Sequence, residues 1–404
     1  MRTEHTYYIV FGLYSLSWSF LGPVYALFLL SRGLDFFQIN VVLAVYLIAA
    51  FVFEVPTGAV ADLVGRKRSF LLSCVVRTVA FGLYASAHTF ADCVLAEFID
   101  AVGSTLASGA LEAWAVDGIR ADGDRRPVEG VFARAQAVSR TLMIASGLVS
   151  GYVAERNIAA PWVMGAAGFA VTGCLAAVVM REPVRSTGVR AARPSLAHTV
   201  REGLVAVRRT PVFRFLCLVT LGAAFAIMPV HQSWQPRMQA LTGQGTALMG
   251  WIWALINGAT IIGSALLPRL LLHVRRTHML VAVTLWRGLA ITAAALATDF
   301  RVALVALLCA EVGFGLSEPM LQAWTNEHVE PAQRAMLLSV RAMAFTLGGG
   351  VGLVCIGLVA RAAGIPVAWL VSGGILVLIA PLFVIASVRA GAGVPATTIP
   401  TEPS

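Results

Sequence analysis

The chain has 404 residues, of which 58% are hydrophobic and 13% charged, with a mean hydropathy of +0.80 and a formal net charge of +9. Ordinary soluble domains carry about 25% charged residues, so this composition excludes a water-soluble fold and leaves little length for a soluble domain beside the apolar runs. The thirty basic residues are scattered between those runs rather than gathered on one face, which argues against a nucleic-acid partner and reads as a membrane topology signal.

A helix needs about 20 apolar residues to cross a bilayer, and twelve such spans are predicted. In chain order they are 7–30, 39–60, 69–88, 93–116, 131–153 and 159–180, then 213–235, 246–267, 278–298, 302–325, 336–360 and 366–388. The first run is too long for a signal-peptide core and lacks a small-residue cleavage site, so it is taken as a span and not a leader. Loops on the side of both termini hold 21 basic residues, the opposite loops hold 5, and Arg77, Arg140, Arg287 and Arg341 fall inside spans. That asymmetry places both termini in the cytoplasm of a multi-pass inner-membrane protein and supports an even number of spans.

The expected organisation is all-α: a six-helix bundle over 1–181, a cytoplasmic linker over 182–212, a second six-helix bundle over 213–389, and a disordered tail over 390–404. Within the linker, Leu196, Val200, Leu204 and Val207 share one helical face, as in a helix lying at a membrane surface. The halves repeat one another in order. Pro23-Val24 recurs as Pro229-Val230, Leu111-Glu112-Ala113-Trp114 as Leu321-Gln322-Ala323-Trp324, and Arg140, Gly147 and Gly151 as Arg341, Gly348 and Gly352. An internal duplication of this kind builds two pseudo-symmetric bundles around a shared site.

After the second span the chain reads Gly58-Ala59-Val60-Ala61-Asp62-Leu63-Val64-Gly65-Arg66-Lys67-Arg68. Gly65 permits a tight reversal, and the cations sit near the negative end of the preceding helix. A topology-setting basic loop accounts for the Arg and Lys residues but not for Asp62 or Gly65. This segment resembles the loop between the second and third helices of the major facilitator superfamily, G-x-x-x-D-x-x-G-R-[KR]-[KR], departing only at Leu63, where a basic residue is common. The resemblance covers essentially the whole chain. It implies a gating relay of Asp62 and Arg66 with an acid at the end of the fourth span, matched here by Asp117, around the loop glycines Gly58 and Gly65. It also implies that spans one, four, seven and ten line the transport cavity. Proton-coupled drug exporters of that superfamily usually carry an Arg in the fourth span and a Gly-Pro pair in the fifth; neither occurs here.

An ionisable group inside a bilayer costs on the order of 3 kcal/mol or more and is functional by default. At about 1.5 Å per residue, Glu54, Arg77, Glu112 and Arg140 share a layer on the terminal side of the first bundle, and Arg287, Glu318 and Arg341 share one in the second. Paired charges that lock each bundle are expected, the alternative being that a carboxylate such as Glu112 or Glu318 exchanges its Arg for a proton. Asp100 and Glu311 have no Arg at their estimated depth and are the leading proton-coupling residues; Glu97 is expected at the outer surface. Aromatic and polar side chains of the cavity spans, Tyr14, Trp18, Tyr25, His231, Trp234 and Gln235, suit an amphipathic organic ligand.

The six cysteines lie within apolar runs and read as small core residues. No nucleotide loop, H-E-x-x-H helix or Cys/His metal spacing occurs, so no cofactor or metal is expected, and transport draws on an ion or substrate gradient. The reading is a monomeric secondary transporter, partnered by protons, a small-molecule substrate and the lipid bilayer, that exports amphipathic organic molecules. An uptake porter for a metabolite is the alternative. An intramembrane enzyme would need His and acids clustered at one depth, and a passive channel would lack the repeat and the gating loop.

Overall fold

The computed structural model describes residues 2–123, 127–182, 201, 205, 207–208, 211–271, 276–328 and 331–385. Most of the linker with its expected amphipathic helix, and the tail from 390, lie outside the described residues. The rest is helical, with no strand among the described residues. The first bundle comprises α1 (Thr3–Ser19), α2 (Tyr25–Ser31), α3 (Phe36–Val64), α4 (Arg66–Ala85), α5 (Phe90–Ala107), α6 (Ala110–Ala121), α7 (Glu129–Arg156) and α8 (Ala160–Val179). The second comprises α9 (Pro211–Thr242), α10 (Thr246–Leu270), α11 (Arg276–Leu296), α12 (Phe300–His328), α13 (Pro331–Ala363) and α14 (Ile365–Ile379).

Three expected spans are not continuous helices, the twelfth being interrupted by a turn at Ala380-Pro381 just after α14. Span one breaks between α1 and α2 around Pro23, which cannot donate to the helical ladder, and the indole of Trp253 packs where a Cβ on Gly22 would sit. Span four breaks at Ser108-Gly109, where Gly109 takes φ 67°, a conformation that favours glycine. Pro229 and Pro236, by contrast, sit inside an unbroken α9. Eleven of the described stretches are long and apolar enough to cross a bilayer unaided, and α1 with α2 supplies the twelfth crossing.

Helix starts follow from local chemistry. Asp35 accepts from Gln38 N at 2.8 Å while Gln38 Oε1 accepts from Asp35 N at 3.0 Å, a reciprocal cap that begins α3, and Thr89 with Asp92 does the same for α5. Within the first bundle α4 packs on α5 and α8, α3 on α5, and α1 against α7 and α8. The second repeats this, with α11 on α12 and α14, α10 on α12, and α9 against α13 and α14. Large apolar side chains point outward on every side, Val178, Leu378 and Leu296 being 84%, 77% and 65% exposed, an arrangement that only lipid satisfies.

The bundles meet along two seams, α3 against α13 and α7 against α10. Gly151 and Gly250 let the α7 and α10 backbones touch: a Cβ on Gly151 would lie 2.8 Å from Thr246 O and 2.9 Å from Gly250 Cα. Gly348 and Gly352, the repeat counterparts of Gly147 and Gly151, serve differently, pressing on Leu221 and Phe225 within their own bundle. Across the seams Gln235 Nε2 donates to Gly22 O at 2.8 Å, Thr246 Oγ1 to Gly151 O at 2.9 Å, and Ala247 N to Glu155 Oε1 at 3.2 Å. Arg361 lies 3.3 Å from Asp35. Among the described residues, the hydrogen bonds and ion pairs joining the bundles lie at mid-depth or in the half away from the N-terminus. That far half is sealed.

Candidate functional site

Beneath the sealed half, between the bundles, lies a cavity of 530 Å³. Residues of α1 and α2 (Trp18, Tyr25), α3 (Tyr46), α4 (Arg77, Phe81), α5 (Glu97, Asp100) and α8 (Trp162) form one wall. The other wall is built by α9 (His231, Gln232, Trp234, Gln235), α10 (Trp253, Asn257, Thr260) and α12 (Glu311, Phe314), with Arg140 of α7 at the seam. Five of the six expected lining residues are there; Tyr14 instead stands behind the wall, packed on Phe70 and Phe169.

The charges pair differently from the sequence expectation. Asp100 does have an Arg partner: Arg77 Nε and Nη2 grip its two carboxylate oxygens at 2.7 and 2.9 Å, with Arg77 6% and Asp100 7% exposed. Depth estimates placed the two apart because they assumed straight spans of equal tilt. The third Arg77 nitrogen donates to Tyr14 Oη at 3.1 Å, and the guanidinium lies 4.4 Å from the Phe169 ring centroid. Gly103 makes this possible, since a Cβ there would come within 2.6 Å of Arg77 Cγ. Asp100 is therefore one half of a buried, bidentate ion pair, not the unpaired carboxylate that its depth suggests.

Glu54 and Glu112 are exposed rather than locked to Arg77 and Arg140; Glu54 accepts from Ser108 Oγ at 3.1 Å. Arg140 reaches across the seam to Asn257 Oδ1 at 3.3 Å. In the second bundle Glu318 pairs with Arg341 as expected, whereas Arg287 is buried and its contacts are Ser317 Oγ at 3.4 Å and the face of Phe314.

Glu97, expected at the surface, is 5% exposed inside the cavity wall and accepts a hydrogen bond from Tyr84 Oη. Tyr84 in turn stacks on Trp162 with ring centroids 3.8 Å apart and lies 3.4 Å from Tyr25 Oη. The signal in the sequence was spacing: Glu97 and Asp100 are three apart on one helix and share a face. On the opposite wall Glu311, 5% exposed, lies 3.1 Å from His231 Nε2. The cavity therefore holds two buried carboxylates whose described hydrogen-bond partners are a phenol and an imidazole. Three further buried polar atoms of cavity residues lack any hydrogen-bond partner: Trp162 Nε1, Gln232 Nε2 and Gln235 Oε1. Sequence pattern does not single out Trp162 and Trp253, since nothing in an apolar run distinguishes a lining aromatic from a core one.

The loop motif lies outside the cavity, on the terminal side. Gly65 takes φ 104° between α3 and α4, and a Cβ there would lie 2.6 Å from Glu182 Oε1. Arg66 pairs with Asp117 and donates to Ala113 O at 2.5 Å, while Lys67 Nζ caps the end of α8 through Ala177 O and Met180 O at 2.7 and 2.6 Å. Asp62 is half-buried one turn before this pair, and Gly58 is buried on the same helix. Nearby, the Thr3 backbone N–H donates to Asp122 at 2.8 Å and holds its carboxyl below the usual carboxylate range. The described His, Cys, Asp and Glu residues form no metal-holding cluster.

A family profile described as Major Facilitator Superfamily matches residues 7–274 and 238–401. Among curated proteins, the uncharacterized MFS-type transporter YxaM of Bacillus subtilis (strain 168) is 27% identical over 252 residues, 62% of this chain and 62% of that protein. The uncharacterized MFS-type transporter y4rN of Sinorhizobium fredii (strain NBRC 101917 / NGR234) is 27% identical over 196 residues, 45% of this chain and 46% of that protein. Each match spans less than two thirds of the curated relative. Among solved structures, the nucleoside transporter NupG superposes with a TM-score of 0.80 at 15% identity, covering 96% of this chain and 99% of that one. A D-xylose-proton symporter gives 0.71 at 14% identity, covering 93% and 96%. At such identities the likeness establishes the fold alone.

Proposed function

The chain belongs to the Major Facilitator Superfamily, and we propose that it carries a planar, amphipathic organic molecule through its central cavity by alternating access, in exchange for protons and in the direction of export. The observation that supports this most is the cavity lining. Trp18, Trp234 and Trp253 offer flat apolar faces, and the lining residues Trp162, Gln232 and Gln235 keep two donors and an acceptor buried and unpartnered in the wall, for a ligand whose ring edges reach them on side-chain adjustment. A buried polar atom left unpaired costs about 1 to 3 kcal/mol, which a ligand that bonds it recovers. The termini and gating loop lie in the cytoplasm on this reading, so the sealed half faces outward. Asp62, Arg66 and Asp117 form the gating relay on the open side.

Glu97 is the proton-coupling residue in this proposal, with Glu311 and His231 as its counterpart on the second wall. A carboxylate held by a phenol can be protonated without orphaning a buried cation, as Asp100 beside Arg77 cannot. Protonation of Glu97 would free Tyr84 and so alter the Trp162 stack that lines the cavity. The test is transport in proteoliposomes: Glu97→Gln should keep ligand binding and exchange while losing flux driven by a pH gradient. Retained pH-driven flux in that variant would refute the role.

A second reading, proton-coupled uptake of a metabolite, draws support from the same three unpaired atoms. They make the cavity more directional than a permissive drug site needs, and the fold likeness includes a nucleoside transporter and a sugar symporter. Tight binding of one polar ligand, with cellular accumulation that collapses on uncoupling, would decide for uptake. Several unrelated amphiphiles accumulating more after uncoupling would decide for export.

A further inference from the structure

The two bundles carry the same arginine in different company. Residues 77–114 and 287–324 align without a gap at an offset of 210, pairing Arg77 with Arg287, Gly103 with Gly313 and Trp114 with Trp324. The structure repeats the alignment: a Cβ on Gly103 would lie 2.6 Å from Arg77 Cγ, and one on Gly313 would lie 2.5 Å from Arg287 Cγ. At the position of Asp100, which holds Arg77 bidentately, the second bundle has Ala310. Arg287 is 7% exposed, its Nε has no hydrogen-bond partner, and the buried carboxylate near enough to act on it through space, Glu311, is hydrogen-bonded to His231 instead. A buried guanidinium whose donors meet no carboxylate directly is expensive unless an anion arrives from elsewhere.

Arg287 opens onto a second cavity of 510 Å³ inside the second bundle, on the terminal side of Phe314, whose ring lines both cavities. Arg341 lines it with a buried Nη1 that has no partner, its other edge being held by Glu318, which also lines the cavity. Thr220, 8% exposed, contributes an unpartnered hydroxyl. Two cations and one acid leave a net positive charge, and the remaining wall is largely apolar, including Ile227, Phe345 and Leu376. We propose that this cavity is a ligand site distinct from the central one, which seats the headgroup of an amphipathic organic anion on Arg287, Arg341 and Thr220 and its apolar body along the bundle core. The ligand anion would take over toward Arg287 the charge-pairing role that Asp100 has toward Arg77 in the first bundle.

The test uses the full chain in phosphatidylcholine nanodiscs, with radiolabelled decanoate as probe, decanol as its uncharged counterpart and empty nanodiscs as background. Decanoate should bind saturably and decanol at least about tenfold more weakly, the usual worth of a charge-assisted hydrogen bond. Ala310→Asp restores the carboxylate of the other repeat and should abolish decanoate binding without lowering thermal stability. Arg287→Gln should weaken it about ten- to a hundredfold. If either variant fails to fold, Thr220→Val, which removes one neutral donor, should still weaken binding several-fold. Displacement of the probe by added phosphatidylglycerol would identify a lipid as the anion's source, and indifference to it a free organic acid; both support the site. Equal binding of decanol and decanoate, or decanoate binding unchanged in folded Ala310→Asp and Arg287→Gln, would overturn it.

Discussion

Replacing Asp100 by alanine should destabilise the protein rather than merely uncouple it from protons. Arg77 and Asp100 are joined by two hydrogen bonds of 2.7 and 2.9 Å and are almost wholly buried. Removing one member of such a pair strands a charge and costs about 3 to 5 kcal/mol. The aromatic faces of Phe169, Tyr14 and Phe81 surround the guanidinium with Asp100 present or absent and so do not offset this cost. At about 2 °C per kcal/mol, the lower end for chains of a few hundred residues, the melting temperature should fall by roughly 6 to 10 °C. The assay is thermal unfolding of detergent-purified protein, followed for Asp100→Ala and, as a closed cycle, for Asp100→Leu, Arg77→Leu and the double variant Arg77→Leu/Asp100→Leu. Each single change should be destabilising and the double variant closer to wild type than any of them, because replacing a buried pair by apolar side chains is often neutral. An Asp100→Ala protein that melts with wild type, or single effects that simply add in the double variant, would refute the structural assignment of this pair.

The second bundle supplies the contrast: Arg287→Leu should lower the melting temperature less than Arg77→Leu does, since no hydrogen-bonded carboxylate is orphaned and an unpartnered N–H is removed. Gly151→Val should collide with Thr246 and Gly250 across the seam and shift the protein toward opening on the far side, read as increased labelling of a cysteine placed at Gly245. If Asp62, Arg66 and Asp117 gate the conformational cycle as proposed, Asp62→Asn should leave abundance and folding unchanged but slow transport; wild-type rates at equal abundance would count against it.

Much of the architecture was legible because hydrophobic length and charge asymmetry are one-dimensional signals. The spans, the repeat and the tight turn at Gly65 follow from runs of residues and from glycine's freedom. The breaks were harder. Pro23 interrupts span one while Pro229 and Pro236 do not interrupt α9, and the difference lies in a neighbour, Trp253, that packs on Gly22 from the other bundle. Of the site, the lining by Trp18, Tyr25, His231, Trp234 and Gln235 was readable from their position on cavity spans. The charge pairing was not: depth puts Arg77 in one layer with Glu54, Glu112 and Arg140, whereas helix rotation and tilt deliver Asp100 to it and turn Glu54 toward Ser108. Depth along a span is carried by residue number, but the face it presents is fixed by packing among helices distant in sequence.

Alternating access requires a cavity that is exposed to one side of the membrane at a time, and counterflow measures that property directly. Purified protein in liposomes is loaded with excess unlabelled ligand, drawn from a panel of uridine, xylose and tetraphenylphosphonium, and labelled ligand is added outside. For a carrier, label should rise transiently above its external concentration before falling back, and Trp234→Ala, which strips one wall of the cavity, should lower the overshoot. Label that only equilibrates for every ligand bound, with no overshoot in the wild-type protein, would contradict transport by alternating access.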